Sequence, residues 1–406
     1  MNASAMDLFL CFVGKTTVRI WGLTPRRRIF RVLSAAGFHP VEVDPADLRE
    51  CAAVLLFRGD YLIDDRLVKQ LARTRDTMLQ IDDGGRSIPV AAHVSAGLAT
   101  RISEYIETGA EDPSIRELRI ETPESLSLSF QAGLLKFDPP FVLQVSAERR
   151  HALERRLFDW SYKGVTDVIT KWVWPVPARW TVGCCVRWGI RPNHVTAAGL
   201  VLVVLAGGLF ACGQYGWGLV AGWLMTFLDT VDGKLARVTV ASSRFGHYFD
   251  HLIDLIHPPV WYMLWGIGLT TDQGGSMGVS MTALLWLIVV GYASGRLAEG
   301  LFQWVLGQFG IFCWRPVDSF FRLVTARRNP NLFLLTVSVL AGRPEIGLLS
   351  VAVWTVVTSL FLWMRLVWAA GTRIRRGPLV SWFTDADRHR YDRTLAWRLF
   401  TGRTTG

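Results

Sequence analysis

The chain has 406 residues, 50% of them hydrophobic, with a net charge of +10, a pI near 9.6 and a mean hydropathy of +0.27. The length suggests two or three domains, and the apolar content is high for a protein wholly in water. The basic clusters "ERRHALERR" and "RIRR" border apolar segments, which argues for an anionic membrane surface over nucleic acid as the partner; no nucleic-acid-binding motif is present. None of Cys11, Cys51, Cys184, Cys185, Cys212 and Cys313 forms a CxxC or has metal-ligand spacing, which fits a reduced setting. The first residues lack the pattern of a secretory signal.

Residues 1–145 alternate strand-like and helix-like segments and read as a small α/β domain. "DLFLCFVG" and "AAVLLF" are expected strands; "PRRRIFRVLSAAG", closed by Gly37, and "DDRLVKQLART" are expected helices. Asp60 follows the "AAVLLF" strand, at the carboxyl end where ligands often bind in such sheets. "VGKTT" at 13–17 is no phosphate-binding P-loop, because Phe9 stands where the motif needs glycine. Residues 146–195 read as a basic, Trp-rich amphipathic connector lying in a membrane interface.

Six apolar spans are expected over 196–370, at 196–213, 216–234, 250–270, 280–302, 329–342 and 345–369, followed by a basic tail at 371–406. The fifth is short for a bilayer core of ~30 Å. The loops at 235–249 and 303–330 carry Arg237, Arg244, Arg315, Arg322, Arg327 and Arg328, and the tail carries Arg373, Arg375 and Arg376. The opposite loops "GQY", "TTDQGGSMGV" and "GRPE" hold a single arginine between them. The positive-inside bias therefore places both termini and the 229–254 segment on the cytoplasmic side of a bacterial-type inner membrane. The expected fold is a six-helix integral membrane domain preceded by a small soluble α/β domain.

Asp229 and Asp232 are three residues apart near the end of the second span, and Asp250 and Asp254 are four apart at the start of the third. On helices each pair shares a face, and consecutive spans tend to pack together, so four carboxylates should converge at the membrane rim. Four anions in a low dielectric need a cation. Oxygen-only ligands favour two divalent ions, Mg²⁺ or Mn²⁺, and such pairs suit phosphoryl displacement. Pairing of the acids with Arg237, Arg244 and other basic residues is the competing account. Gly233 and Gly246 allow close approach of a ligand, Ala236 leaves room, and Arg237 can fork onto a phosphate.

Asp229-x2-Asp232-Gly233-x2-Ala236-Arg237-x8-Gly246-x3-Asp250-x3-Asp254 resembles the CDP-alcohol phosphatidyltransferase signature at its eight fixed positions, and the resemblance spans about residues 160 to 370. It implies a six-helix, dimeric membrane enzyme with two divalent ions, in which an alcohol acceptor displaces CMP from a CDP-linked donor. It also implies that Asp229, Asp232, Asp250 and Asp254 hold the metals, that Asp254 acts as general base with Asp250 beside it, and that Gly233, Ala236, Arg237 and Gly246 form the CDP pocket. "RPNHVT" at 191–196 resembles the family's start of span one, where Asn193 and Thr196 approach the nucleotide; a proline-led helix start explains the same residues.

Arg296 and Glu299 lie three apart inside span four, and intramembrane charge is costly enough to suggest function, with a self-satisfying ion pair as the alternative. Arg365 in span six is either a third member of that group or snorkels to the membrane edge, and Arg296, Arg365 and Arg315 are the expected cradle for a phosphorylated acceptor such as an inositol phosphate, with glycerol phosphate as the second candidate. His247, His251 and His257 surround the acids, but the face belongs to the carboxylates. "VRIWGLTPRRRIFRVLSAAGF" and "LLFRGDYLIDDRLVKQLA" resemble sugar-phosphate nucleotidyltransferases that are fused to such membrane domains in inositol-phosphate cytidylyltransferase/CDP-inositol enzymes, and "YKGVTDVITKWVWP" resembles their linker. The Gly-rich triphosphate loop of that family is not visible, so a degenerate regulatory or scaffolding domain is expected. The alternatives are a bifunctional enzyme with an active cytidylyltransferase and a non-catalytic membrane protein that binds divalent cations or nucleotide.

Overall fold

The computed structural model describes residues 7–44, 53–110, 113–241, 244–272, 280–384, 391 and 394–401; the side chains of 7, 114, 244–251, 271 and 272 also lie outside the described set. The chain divides into two compact units. The first holds residues up to Phe130, Asp138–Ser161 and Arg237–Ala241, and the second holds the remainder. The 146–195 connector is thus shared between the two.

In the first unit, β1 (Asp7–Val13), α1 (Pro25–Ala35), β2 (His39–Glu42), β3 (Ala53–Arg58), β4 (Tyr61–Ile63), α2 (Asp65–Leu71), β5 (Thr77–Asp83), β6 (Arg86–Ser95), α3 (Ala96–Thr108), β7 (Arg119–Glu121) and α4 (Pro123–Leu126) follow in order. The described strands form a mixed sheet in the order β2-β1-β3-β6-β5-β7. β1 runs parallel to β2 and β3, whereas β6 is antiparallel to both β3 and β5. Strict alternation sorts the two faces. Leu8, Leu10, Leu55 and Phe57 meet α1 and α2, while Cys11, Val13, Val54 and Leu56 meet Ala99, Ile102 and Ile106 of α3. Local signals start the helices: the Thr24 side chain accepts from Arg27 N–H before α1, and Asp64 accepts from Arg66 N–H before α2. Gly37, at φ +92°, turns the chain just beyond α1.

The Asp60 carboxylate, just past β3, is held from both sides by Arg58, with Nε–Oδ1 at 3.0 Å and Nη2–Oδ2 at 2.8 Å. A Cβ on the adjacent Gly59 would lie 2.5 Å from the carbonyl oxygen of Gly14, so the ends of β1 and β3 approach at a spacing only glycine tolerates.

Short strands β8 (Phe130–Gln131) and β9 (Lys136–Phe137) pair with each other, and β10 (Val142–Gln144) pairs with β4. Helix α5 (Arg150–Trp160) closes the first unit. The second unit continues with a π-helical turn at Ile169–Val173, α6 (Pro175–Arg187), α7 (Pro192–Ala211), α8 (Tyr215–Val238), α9 (Arg244–Asp272), α10 (Met281–Leu301), α11 (Pro316–Val324), α12 (Arg328–Leu340), α13 (Pro344–Arg376) and α14 (Leu395–Phe400). On α6, Val176 and Trp180 are exposed while Ala178, Val182 and Cys185 are buried, the two-faced pattern expected of the connector.

Each of the six expected spans coincides with a helix, α7 to α10, α12 and α13. Among the described residues, three are long and apolar enough to cross a membrane: α7, α10 with its continuation to Leu306, and α13. At 1.5 Å per residue, α12 reaches about 20 Å, short of a bilayer core of about 30 Å. α9 begins at Arg244, earlier than the apolar stretch that marked it, because backbone hydrogen bonding carries a helix past the point where hydropathy falls.

α7 packs on α9, and α13 on α10 and α12. Glycines set the closest approach: a Cβ on Gly207 would meet Leu264 at 2.8 Å, and one on Gly268 would run into the Phe210 carbonyl. Trp261 and Trp265, both buried, donate their indole N–H to the carbonyls of Val203 (2.9 Å) and Pro344 (3.1 Å), so neither indole N–H is stranded in the apolar core. Beyond α13 the tail folds back. Ser381 Oγ and Trp382 N donate to the Cys313 carbonyl, Trp382 Nε1 donates to Ser319 Oγ, Phe400 stacks edge-on against Phe320, and Trp397 lies 5.1 Å from Phe137.

Candidate active site

α8 carries Asp229 and Asp232 one turn apart near its end, and Asp254 lies in the first half of α9. Asp229 and Asp254 are brought together by one side chain. Arg328, the first residue of α12, donates from Nη1 to Asp254 Oδ1 at 2.6 Å and from Nη2 to Asp229 Oδ2. Asp232 is buried and turns toward α7, where Thr196 Oγ donates to its Oδ2 at 2.7 Å. Thr196, expected to approach a nucleotide, is therefore tied directly to the acid face. Asn193 is exposed on the first turn of α7. Gly233 and Ala236 are half-buried on α8, and Arg237 occupies its last turn. Gly246 and Asp250 fall on the opening turns of α9, but the Asp250 side chain lies outside the described residues.

The histidines divide. His257 turns its ring onto its own helix, with Nδ1 2.7 Å from the Ile253 carbonyl and the ring 4.7 Å from Trp261, so it serves packing. The side chains of His247 and His251 lie outside the described residues.

The start of α12 is a hub that the spacing of the acids did not reveal. Arg327 pairs with Glu299, Arg328 with Asp229 and Asp254, and Asn329 Nδ2 donates to Asp167 Oδ1 (3.0 Å) and Thr170 Oγ (3.1 Å); Asn331 Nδ2 donates to the Tyr262 hydroxyl (3.0 Å). The signal available in the sequence was the run Arg-Arg-Asn-Pro-Asn opening an apolar helix, where so many polar groups need partners. Burial pushes the Asp167 carboxyl up, but the Arg322 charge and the bonds from Thr170 and Asn329 outweigh it and hold it below the usual carboxylate range.

The expected arginine cradle separates into two groups. Arg296 Nη1 lies 3.3 Å from Glu299 Oε2, and Arg327 shares that carboxylate. Arg365 instead grips Asp318 through Nε (2.6 Å) and Nη2 (2.8 Å), both residues being buried, while the Arg315 guanidinium lies over the Trp314 ring. Arg296 and Glu299 line a small cleft between α10 and α13, together with Tyr292, Thr355 and Ser359. The buried hydroxyls of Thr355 and Ser359 have no hydrogen-bond partner among the described residues. Tyr292 links this pocket to the acids, because its hydroxyl donates to the Asp254 carbonyl at 3.4 Å.

Among the described residues no three His, Cys, Asp or Glu side chains converge tightly enough to hold a metal. What is described nonetheless fits a hard divalent cation: the donors facing one another across α8 and α9 are carboxylate oxygens, and they already gather around a positive charge, the Arg328 guanidinium.

Residues 190–312 match the family model for CDP-alcohol phosphatidyltransferase. The chain is 33% identical over 123 residues to a phosphatidylinositol phosphate synthase of Mycobacteroides abscessus, an alignment covering 28% of this chain and 56% of that protein. It is 32% identical over 126 residues to an archaetidylinositol phosphate synthase of Pyrococcus horikoshii, covering 28% and 62%. A third similar protein, from Aquifex aeolicus and of unassigned function, is 28% identical over 178 residues, covering 42% and 80%. The chain spans about half the length of the curated synthases it matches.

Proposed function

We propose that this chain is a membrane CDP-alcohol phosphotransferase, in which an alcohol acceptor displaces CMP from a CDP-linked donor of the CDP-diacylglycerol or CDP-inositol type. The observation that carries the proposal is the meeting of Asp229 and Asp254 on one cation, at the motif spacing and inside the segment that matches the family model. That family uses divalent metal ions. Asp229, Asp232, Asp250 and Asp254 would hold two of them, Mg²⁺ or Mn²⁺, which when bound would neutralise phosphate oxygens and the leaving CMP. Asp254 takes the acceptor's hydroxyl proton, the acceptor oxygen bonds to the phosphorus bearing the donor alcohol, and the bond to CMP breaks with its electrons leaving on CMP. Gly233, Ala236, Arg237, Gly246, Asn193 and Thr196 are the nucleotide side of the site. The pocket of Arg296, Glu299, Tyr292, Thr355 and Ser359 is the acceptor side, since Tyr292 joins it to Asp254. The names of the two synthases make a polyol phosphate the first acceptor class to try.

The finer assignments belong to the same reading: six spans, two copies per assembly, both termini and the site on the cytoplasmic side of a bacterial inner membrane. The first unit is a degenerate nucleotidyltransferase-like domain with a scaffolding or regulatory role, a reading supported by the closure of Asp60 on Arg58. A non-catalytic cation- or nucleotide-binding protein is the second reading, and the pairing of the acids with Arg328 is what favours it.

The test is CMP release by the purified full chain with Mn²⁺ or Mg²⁺, given CDP-diacylglycerol or CDP-inositol and a panel of polyol phosphates and polyols. Metal-dependent release requiring one acceptor, and lost in Asp250→Asn and Asp254→Asn, is expected. An Asp254→Asn protein that turns over normally would remove the assigned base. Retained CDP binding without release from either donor would favour the binding protein.

A further inference from the structure

Arg328 is not part of the motif that names the acids, yet it is the group that joins them. Its guanidinium reaches Asp254 Oδ1 through Nη1 and Asp229 Oδ2 through Nη2, and Nη1 also lies 3.7 Å from the Met225 sulfur. One cation thus spans carboxylates on two different helices. Its third donor, Nε, is buried and has no acceptor among the described residues. A guanidinium bound at two ends and unsatisfied at the third is held less firmly than one with every proton engaged.

The rest of the α12 start does not depend on this contact. Arg327 is anchored on Glu299, Asn329 on Asp167 and Thr170, and Asn331 on Tyr262. The backbone turn that carries Arg328 therefore stays seated when the side chain swings away. The side chain has four rotatable bonds and is attached at a helix start, so it can leave without moving a helix. The two oxygens it occupies are ones a divalent cation shared between Asp229 and Asp254 would need.

We propose that Arg328 is a built-in counter-ion of the acid site, which holds Asp229 and Asp254 together and must be displaced when a divalent cation binds them, its freed guanidinium then being available to a phosphate oxygen of the donor. This rests on the reading of the acids as metal ligands given above. It makes Arg328 a positioning residue that competes with the metal. Two carboxylates brought together with no cation between them would repel, so the same residue keeps α8 and α9 in register before metal arrives. A cation then binds only the fraction of molecules in which the guanidinium has let go, and its apparent affinity is reduced by that fraction.

The experiment is Mn²⁺ binding to the purified full chain in detergent, stripped with chelator, read from the free-Mn²⁺ electron paramagnetic resonance signal, with thermal melting recorded in parallel. If the Arg-released state is populated at about 1–10%, Arg328→Gln tightens Mn²⁺ binding about ten- to a hundredfold. The same variant melts lower than the parent in chelator and regains the difference when Mn²⁺ is added. Arg328→Lys, which keeps a charge but cannot bridge two carboxylates with a planar fork, falls between the two, and it carries the test if the glutamine variant does not fold. Unchanged or weaker Mn²⁺ binding in variants that melt cooperatively would overturn the proposal while leaving the acids as ligands. Mn²⁺ binding by none of the three proteins would overturn it together with the metal reading on which it rests.

Discussion

Arg365 and Asp318 show how much a single pair can weigh. They lie 47 positions apart, are both buried, and meet through two hydrogen bonds, with the guanidinium also 4.5 Å from the Trp314 ring and 4.8 Å from Trp368. Removing one partner strands the other as an uncompensated buried charge, which costs about 3–5 kcal/mol. Arg365→Leu is therefore expected to lower the melting temperature in detergent sharply, and the double variant with Asp318→Leu to recover most of the loss. Equal destabilisation in the double variant would show that the arginine acts through packing on the two tryptophans. At this scale the sequence exposed some residues and hid others. Asp229 with Asp232, and Asp250 with Asp254, stood out because each pair's separation is local and matches a helical turn. Their partners did not: Arg328 is 74 positions from Asp254, and Asn329 is 162 from Asp167. Among 44 lysines and arginines, the run Arg-Arg-Asn-Pro-Asn marks a polar helix start but does not say which carboxylates Arg328 will meet.

Elements were legible to the degree that their own side chains carry the instruction. The strands β1 and β3 and the helix α1 are written in local runs, and they appear where expected. Where a helix stops is less local: hydropathy marked the apolar part of α9 and missed its polar first turns. The antiparallel pairing of β6 with β5 is a local hairpin turned at Gly84 and Gly85, whereas its pairing with β3, which sets Ala53 opposite Ser95, is distant in sequence and no local pattern announces it. The contact of α7 with α9 is likewise a property of two elements. Gly268 gives the space that the Phe210 carbonyl and the Tyr215 hydroxyl occupy, and a Cβ there would lie 2.9 Å from that hydroxyl. Gly268→Ala is expected to push the helices apart at a cost of about 1–3 kcal/mol, the usual range for overpacking. Thermal melting in detergent checks this, and a melt unchanged from the parent would mean that the helices accommodate the methyl group by sliding.

For the molecule as a whole, the arrangement across the bilayer can be probed with a cysteine already present. Cys212, in the turn between α7 and α8, is exposed, whereas Cys11, Cys185 and Cys313 are buried. In the proposed topology this turn faces away from the cytoplasm, because the arginine-rich loops hold the other side. A membrane-impermeant maleimide added to intact spheroplasts is expected to label Cys212, with labelling abolished in Cys212→Ser. Labelling only after the membrane is opened would invert the topology and place the acids outside.

The layer that covers β9 has a history as well as a shape. Phe137, on β9, is covered by Trp397, and the Cys313 carbonyl is met by Ser381 and Trp382, so one small layer draws on three separate stretches of the chain. A ribosome adding about 5–20 residues per second delivers Trp397 on the order of tens of seconds after Phe137. Throughout that interval the β8–β9 hairpin presents a bare aromatic face while the membrane helices between are being inserted. Birth order thus leaves Phe137 without this cover for much of synthesis, and makes the hairpin a place for a chaperone to shield in the half-made protein.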